Sequence, residues 1–324
     1  MNQNFLVTGG AGFIGSHLVK RLVEQGDKVR VVDNLSTGKK ERLRGLLCAI
    51  EFVRADLADP EASDRAVEGM DYVLHQAAIP SVQRSQEDPV GTNRANVAAT
   101  LNLLESSRKL GIRRFIYAAS SSAYGNSEVL PKQEEMTANP CSFYALQKLV
   151  GERYCKFYHE FFGLETVSLR YFNIFGPGQD PDSEYSAVIP KFISRLLSRS
   201  PVTVHGDGEQ SRDFTFIDNV VHANLLAIKA QNIGGRVFNI GCGVRITLNR
   251  LIELLEETAG VKAEVVMTPP RPGDVRHSLA DISLAKTNLG YLPQVGIEEG
   301  LRRTVEATKA GISAEARGVL NAKR

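Results

Sequence analysis

The sequence predicts an α/β fold, a doubly wound parallel sheet followed by a smaller C-terminal α/β lobe. Near the N-terminus, an apolar strand breaks into a turn that carries Gly9, Gly12 and Gly15, and a helical pattern follows. Apolar strands then alternate with helical patterns, as in parallel sheets covered by helices. The strand 28–33 ends on Asp33. This acid follows the turn at close to the roughly 20-residue spacing that is typical of Rossmann-type folds. We therefore predict a Rossmann-type first half.

The glycine turn also predicts what the sheet binds. Glycines let the backbone approach a pyrophosphate closely, and free amides at the start of the helix would hold its charge. Ile14, Leu18 and Leu22 recur at one-turn spacing, and Gly26 ends the helix. A carboxylate at Asp33 accepts bonds from adenosine ribose hydroxyls and repels a 2′-phosphate. We therefore predict NAD rather than NADP as the cofactor.

Composition limits the kinds of partner. The 324 residues are 43% hydrophobic and 23% charged, which is ordinary for a globular protein with a large core. A net charge of +2 is too small for a basic nucleic-acid-binding face, so we expect a small-molecule partner and no nucleic acid. No apolar run reaches the length of a membrane span, and the first strand starts almost at the N-terminus, so we expect a cytoplasmic protein. Scattered cysteines indicate reduced thiols and no metal site; they are Cys48, Cys141, Cys155 and Cys242.

Two interpretations remain open for the polar loop 34–40 that follows Asp33. Its serine, threonine and lysine side chains surround the adenosine end, or they are solvated loop residues. Lys39 and Lys40 argue against NAD, but they lie beyond the ribose position. The next strand, 50–57, places Asp56 where it meets an adenine amino group or, equally, caps a turn.

The strand 71–78 ends in small residues, which suits a strand whose carboxyl end faces a ligand. We interpret His75 as structural, because neither a nucleophile nor a carboxylate accompanies it in sequence. A helix over 93–110 follows and is closed by Gly111. Asn96, near its start, either caps the helix locally or reaches the cofactor.

A strand over 113–122 runs into three consecutive serines, and a tyrosine and a lysine follow on a later helix. Tyr144 and Lys148 are four residues apart and therefore share one helix face. Tyrosine titrates near pH 10, so a tyrosine base at neutral pH needs a nearby cation. We expect the Lys148 ammonium to favour the Tyr144 phenolate and lower its pKa.

Six motifs carry a resemblance to a known family. They are T-G-G-A-G-F-I-G at 8–15, S-S-S-A-Y-G at 120–125, Y-x-x-x-K at 144–148, L-R-Y-F-N at 169–173, G-D-G-E-Q-S-R-D-F at 206–214 and R-P-G-D-V-R-H-S at 271–278. The sequence resembles the extended short-chain dehydrogenase/reductase superfamily in its nucleotide-sugar branch, and most nearly the UDP-N-acetylglucosamine and UDP-glucose 4-epimerases. The resemblance covers the chain from Asn4 to about Ala307.

The resemblance implies that Ser120 is the catalytic hydroxyl, Tyr144 the base and Lys148 its cofactor-bound partner. The cofactor contacts expected together with these are Gly9, Gly12, Phe13, Ile14, Gly15, Asp33, Asn34, Ser36, Thr37, Gly38, Asp56, Leu57, Gln76, Ala77, Ala78, Asn96, Tyr144, Lys148 and Phe172. One position departs from the family, because Gln147 stands where serine or threonine is usual. We expect little consequence, since that side chain should point away from the face that bears Lys148.

The resemblance also implies a substrate site. The residues expected there are Ser81, Ser121, Ser122, Asn173, Val188, Lys191, Arg212, Arg271, Asp274 and Ser278. Asn173, Arg212 and Arg271 would meet the diphosphate, and Asp274 the uridine ribose. In the related epimerases, a tyrosine at the position of Ser278 crowds the C2 substituent of the sugar. A serine leaves space for an N-acetyl group, unless it is small only for backbone reasons.

The resemblance implies an isomerase that carries out NAD-dependent 4-epimerisation of a UDP-hexose. The expected substrates are UDP-N-acetylglucosamine and UDP-N-acetylgalactosamine, followed by UDP-glucose and UDP-galactose. The alternatives are a nucleotide-sugar 4,6-dehydratase, a UDP-glucuronate decarboxylase and a non-catalytic NAD-binding sensor. The first two need a carboxylate where Ser121 or Ser122 stands, and sensors commonly lose the tyrosine or the lysine. A homodimer through the helices over 93–110 and 142–162 is expected.

We expect an NAD-binding domain over 1–170 and a UDP-sugar-binding lobe over 171–309. Part of the second half, about 214–241, should return to the large sheet. The polar tail 310–324 is expected to fray.

Overall fold

Parallel strands form the central layer of the computed structural model, which describes residues 2–181, 188–270 and 275–322, with side chains up to residue 312. The strands are β1 (Asn4–Thr8), β2 (Lys28–Val32), β3 (Ile50–Val53), β4 (Tyr72–His75), β5 (Arg114–Ser120), β6 (Thr166–Tyr171), β7 (Ile174–Phe175), β8 (Val202–His205), β9 (Ser211–Arg212), β10 (Thr215–Phe216), β11 (Arg236–Ile240), β12 (Ile246–Thr247) and β13 (Val265–Thr268). Seven of them form one sheet in the order β11-β6-β5-β4-β1-β2-β3, with all pairs parallel.

The strand order reverses beside β1. The chain runs outwards from β1 to β2 and β3, then returns to β4 on the other side of β1 and continues to β5, β6 and β11. Crevices that bind ligands form at such a switch point, outside the carboxyl ends of the strands. Thr8 and His75 are paired at those ends. The sheet confirms the predicted Rossmann-type fold.

Helices cover both faces of the sheet. They are α1 (Phe13–Glu24), α2 (Pro60–Val67), α3 (Val82–Glu87), α4 (Pro89–Asn93), α5 (Ala99–Lys109), α6 (Phe143–Phe162), α7 (Val188–Leu197), α8 (Ile217–Lys229), α9 (Leu248–Ala259), α10 (Ser283–Leu289) and α11 (Ile297–Ala322). Alternate residues of each strand face opposite sides, so Phe5 and Val7 join the core under α1 and α8, whereas Leu6 joins the core under α2, α5 and α6. No helix in the described ranges is long and apolar enough to cross a membrane.

The second half of the chain adds a lobe made of short strand pairs. β7 pairs with β10 and β8 with β13, both parallel, and β9 pairs with β12 antiparallel. β11 lies in the large sheet beside β6, so this segment of the second half packs with the first. The last helix, α11, keeps a helical backbone through to Ala322.

The helix expected over 93–110 is present, but its first turn is not a regular α-helix. One π-helical turn, Arg94–Ala98, separates α4 from α5. Within it the Asn96 side chain bonds to the loop after β4, and Thr100 Oγ1 donates to the Asn96 carbonyl oxygen at 2.7 Å. π-Helical turns are frequent at functional sites. Sequence periodicity missed this irregularity because its cause is a tertiary contact.

Candidate active site

A cavity of about 960 Å³ lies at the carboxyl ends of the strands, where the strand order reverses. Its wall includes Gly12 of the glycine turn, Ser120 at the end of β5 and Tyr144 on α6. Arg212 and Ser278 of the second half complete it. The volume is at the upper end of the range for ligand cavities, which suits a dinucleotide with a nucleotide sugar.

The glycine turn is shaped to admit a pyrophosphate. Gly9 has a φ of 64°, and a Cβ on it would lie 2.7 Å from the Ala77 backbone nitrogen. A Cβ on Gly15 would lie 2.2 Å from the Gly9 carbonyl oxygen. Side chains at these positions would therefore block the close approach of helix, turn and strand. This cradle and the amides at the start of α1 fit the diphosphate of NAD.

Asp33 stands at the end of β2 as a nearly buried carboxylate. Its Oδ2 accepts from the Ala11 backbone nitrogen at 3.0 Å, and its Oδ1 accepts from the Leu35 backbone nitrogen at 2.8 Å. A Cβ on Gly38 would lie 2.7 Å from Asp33 Oδ2, so Gly38 gives the carboxylate room. Gly38 itself does not line the cavity.

The two lysines that argued for NADP are engaged elsewhere. Lys39 Nζ lies 2.5 Å from Asp180 Oδ2, and Lys40 Nζ lies 5.1 Å from the centre of the Phe52 ring. Neither lysine lines the cavity beside Asp33.

The serine run and the tyrosine meet at the end of β5. Ser122 Oγ donates to Ser120 Oγ at 2.8 Å, and the Ser122 backbone nitrogen donates to the same oxygen at 3.2 Å. Ser120 also hydrogen-bonds the Tyr144 hydroxyl, which offsets part of the rise in the pKa of Tyr144 that burial causes. The position of the serine oxygen is thus fixed beside the phenol.

Lys148 lies one helical turn beyond Tyr144 and is almost fully buried. Its Nζ donates to the Ala118 carbonyl oxygen at 2.9 Å and lies 5.1 Å from the centre of the Tyr117 ring. Burial lowers the pKa of Lys148 to about 8. The Lys148 side chain is therefore mostly charged at neutral pH and loses its proton near pH 8.

The predicted effect of Lys148 on its neighbour is wrong for the protein alone. Burial raises the pKa of Tyr144 above its ordinary value, and the opposing influence is the hydrogen bond with Ser120 rather than the ammonium. The reason is desolvation, which disfavours the phenolate more than the local contacts favour it.

Most of the predicted site residues lie together on the cavity wall. The cofactor set found there is Gly9, Gly12, Phe13, Ile14, Gly15, Asp33, Asn34, Ser36, Thr37, Asp56, Leu57, Gln76, Ala77, Ala78, Tyr144 and Lys148. The substrate set found there is Ser81, Ser121, Ser122, Asn173, Arg212 and Ser278. Arg271 and Asp274 lie outside the described residues.

A few predicted residues do not reach this cavity. Phe172 is fully buried and packs on Tyr124, with 6.1 Å between ring centres. Val188 lines a smaller adjoining cavity, and Lys191, one turn further along α7, lines neither. Asn96 is buried away from the cavity wall, so the expected direct contact with the cofactor is not supported.

Asn96 and Gln147 instead form a buried amide network. Asn96 Oδ1 accepts from the Ile79 backbone nitrogen at 2.7 Å, and its Nδ2 donates to Gln147 Oε1 at 2.8 Å. Gln147 Nε2 donates to Thr92 Oγ1 at 3.0 Å. Gln147 points away from the cavity, as expected, but it ties α6, just before Lys148, to the π-helical turn, a contact that the sequence did not predict.

His75 agrees with its structural interpretation. It lies buried between Thr8 Oγ1, 2.7 Å from its Nδ1, and Thr100 Oγ1, 2.8 Å from its Nε2. Burial lowers the pKa of His75 to about 3, so the ring stays neutral. Thr100 donates onward to the Asn96 carbonyl oxygen, which leaves Thr100 as acceptor for His75 Nε2–H and His75 Nδ1 as acceptor for Thr8.

The smaller cavity, of about 290 Å³, adjoins the first and shares Asn173 and Arg212 with it. Phe192 of α7, Phe214 and His205 contribute to its wall. An apolar and aromatic enclosure beside a guanidinium suits a nucleobase attached to a phosphate.

Several cavity residues escaped the sequence prediction. They are Arg42, Arg84, Lys132, Gln179 and Asp180. None of them stands in a motif with a recognisable spacing. The polar character of the loop around Arg42 was the only available signal.

Comparison with known proteins gives the family. The model of the NAD dependent epimerase/dehydratase family matches residues 5–241. A putative UDP-glucose 4-epimerase of Methanocaldococcus jannaschii is 39% identical over 306 residues, which are 94% of this chain and 98% of that protein.

Two solved structures are similar over nearly their whole length. A UDP-N-acetylglucosamine 4-epimerase from Methanobrevibacter ruminantium, in complex with UDP-N-acetylmuramic acid, is 40% identical with a TM-score of 0.91, covering 96% of this chain and 99% of that one. A UDP-glucose 4-epimerase from Thermotoga maritima, with UDP-glucose, is 42% identical with a TM-score of 0.91, covering 95% and 99%. The chain therefore belongs to the NAD dependent epimerase/dehydratase family, and within it to the UDP-sugar 4-epimerases, isomerases that work with bound NAD.

Proposed function

We propose that the protein interconverts UDP-N-acetylglucosamine and UDP-N-acetylgalactosamine, and uses UDP-glucose and UDP-galactose equally or less well. The observation that carries this choice is Ser278. It lies on the cavity wall, and its backbone nitrogen donates to the Ser211 carbonyl oxygen at 3.0 Å, which fixes the backbone beside β9. A small side chain there leaves room for an acetamido group at C2, and its hydroxyl can bond the amide or a bridging water.

Tyr144 is the proposed acid and base. It takes the proton of the sugar 4-hydroxyl through or beside Ser120 and later returns it. NAD, when bound, would supply the hydride acceptor and donor that C4 requires, together with a positive charge. Lys148 would be among the residues that hold the cofactor and would add its own charge. Since burial raises the pKa of Tyr144 in the protein alone, we expect base activity only in the loaded enzyme.

The nucleotide part of the substrate would lie across both cavities. Asn173 and Arg212 line both of them, and we assign the diphosphate to these side chains. Arg271 and Asp274 are proposed to join them at the diphosphate and the uridine ribose. The aromatic wall of the smaller cavity, with Val188 at its edge, would enclose the uracil.

The two positions after Ser120 hold no acid for elimination. Ser121 and Ser122 stand where dehydratases and decarboxylases need a carboxylate, and Ser122 Oγ is bonded to Ser120. Among the described residues that line the cavity, the carboxylates are Asp33, Asp56 and Asp180, which come from the loops beside the adenosine end and from the segment after β7. These observations disfavour the sister activities.

We propose a homodimer through α5 and α6. On α6, Leu146 is 46%, Phe157 47% and Phe161 73% exposed, and their spacings of about three helical turns and one turn place them on one side of the helix. Four free cysteines fit a cytoplasmic location. We also assign residues 1–170 to an NAD-binding domain and 171–309 to a UDP-sugar-binding lobe.

Substrate choice is tested by kcat/KM on both sugar pairs for the native protein, Ser278→Tyr and Ser278→Ala. We expect tyrosine to lower the efficiency on the N-acetylated pair at least tenfold and to leave the glucose pair within a few-fold. The alanine control keeps the space and should retain the N-acetylated pair. An undiminished N-acetylated pair in Ser278→Tyr would refute the pocket assignment.

A further inference from the structure

The segment 176–180, which follows β7 and which we call the strap, crosses from the second lobe to the glycine turn. His17 Nε2 on α1 donates to the Pro177 carbonyl oxygen at 3.0 Å. Burial lowers the pKa of His17, so the ring is neutral and serves as a plain donor. A Cβ on Gly176 would lie 2.6 Å from Cγ2 of Ile217 on α8 and at an ordinary contact distance, 3.5 Å, from the ring of Phe13 on α1. The near end of the strap is thus seated on the turn that receives the cofactor diphosphate.

Two cations from the loop after the ribose site hold the far end of the strap. Lys39 Nζ lies 2.5 Å from Asp180 Oδ2. The Arg42 guanidinium donates from Nε and Nη2 to the Gly178 carbonyl oxygen at 3.4 and 3.2 Å. Its Nη1 donates to the Ala11 carbonyl oxygen at 3.4 Å, so one side chain joins the strap to the glycine turn.

The strap is also part of the cavity wall. Gln179 and Asp180 line the same cavity as Gly12, Ser36 and Thr37, which are the residues beside the diphosphate and the adenosine. Gln179 Nε2 donates back to the Ile174 carbonyl oxygen at 3.2 Å, which holds the segment in a turn against β7. Every contact named for the strap outside its own lobe therefore reaches an element of the cofactor site.

We propose that the strap closes the cavity over bound NAD and slows its release, with the Lys39–Asp180 ion pair and the His17–Pro177 hydrogen bond as two separate fastenings. Epimerisation returns the hydride to the sugar, so the cofactor need not leave between turnovers and slow release carries no kinetic penalty. The inference depends on NAD binding and not on which UDP-sugar pair is preferred.

The experiment follows exchange of labelled NAD from the holoenzyme into excess unlabelled NAD, with separation by gel filtration. Lys39→Ala and Asp180→Asn should each speed exchange about two- to fivefold, as expected for a partly exposed ion pair. The variant that carries both substitutions should exchange no faster than either single variant, because both substitutions break the same ion pair. This comparison separates the effect of the ion pair from that of other contacts of Asp180. High salt should speed the wild type and leave Asp180→Asn unchanged.

Two further variants complete the design. Lys40→Ala is the matched control, because that lysine packs on Phe52 instead of the strap, and it should exchange at the wild-type rate. His17→Phe removes the second fastening, and its effect should multiply with that of Asp180→Asn. Wild-type exchange in Lys39→Ala and Asp180→Asn, with unchanged unfolding of the NAD-free proteins, would overturn the proposal. So would an equal acceleration in Lys40→Ala.

Discussion

Truncation of Gln147 to alanine would remove a buried amide that ties the catalytic helix to the π-helical turn. The side chain is 4% exposed, accepts from Asn96 Nδ2 at 2.8 Å and donates to Thr92 Oγ1 at 3.0 Å. Each lost bond is worth about 1 kcal/mol, and the groups left unpaired and the void raise the total. We therefore expect the free energy of unfolding to fall by about 2–4 kcal/mol.

Urea unfolding of the NAD-free protein measures this loss, and Gln83→Ala is the matched control. Gln83 lies exposed on α3, where its side chain bonds Glu87 at 2.8 Å, so its removal should change stability by less than about 0.5 kcal/mol. Turnover of Gln147→Ala should also fall, because Asn96 fixes Ile79 at the cavity wall. A free energy of unfolding for Gln147→Ala within about 0.5 kcal/mol of the wild-type value, as for a surface substitution, would show that the network does not stabilise the helix.

Three other predictions concern the turn, a buried ion pair and a buried lysine. Gly15→Ala places a Cβ 2.2 Å from a carbonyl oxygen and should yield protein without NAD on extraction, whereas Gly45→Ala, with open space, should retain NAD. Glu152→Ala leaves the buried Arg170 guanidinium, which is 2% exposed and 2.7 Å from Glu152, without its carboxylate. The free energy of unfolding in urea should fall by about 3–5 kcal/mol, and a loss below about 1 kcal/mol would contradict this. Between about pH 8 and 10, Lys148 has lost its proton in the folded protein but keeps it in the unfolded chain. The free energy of unfolding of the wild type should therefore rise with pH, relative to that of Lys148→Met, by up to about 3 kcal/mol. Parallel pH profiles of the two proteins would contradict this.

Local features of the sequence predicted the parts of the site that are contiguous in the chain. A few consecutive residues are enough to identify the glycine turn, the acid at the end of β2 and the tyrosine–lysine pair on α6. Parallel strands bring their carboxyl ends to one edge, so these pieces had to converge. The resemblance to nucleotide-sugar enzymes supplied the rest, including Arg212 and Ser278, which no periodicity marks.

Contacts between distant segments could not be predicted in this way. Asn96 looked like a cofactor or capping residue, but its partner is Gln147 on another helix. Asp180 reaches Lys39 across the two halves of the protein. The pKa of Tyr144 depends on how completely folding removes water from it, which sequence spacing does not show.

The most direct test of the mechanism is conversion of UDP-N-acetylglucosamine followed by NMR, with no NAD added. We expect UDP-N-acetylgalactosamine to appear with the wild type and with Tyr154→Phe, whose tyrosine lies on the same helix outside the cavity wall. Tyr144→Phe should bind UDP normally and convert the sugar at least ~100-fold more slowly, since it lacks the acid–base group. Near-normal conversion by Tyr144→Phe, or no epimerisation of any UDP-hexose by the wild type, would contradict the account.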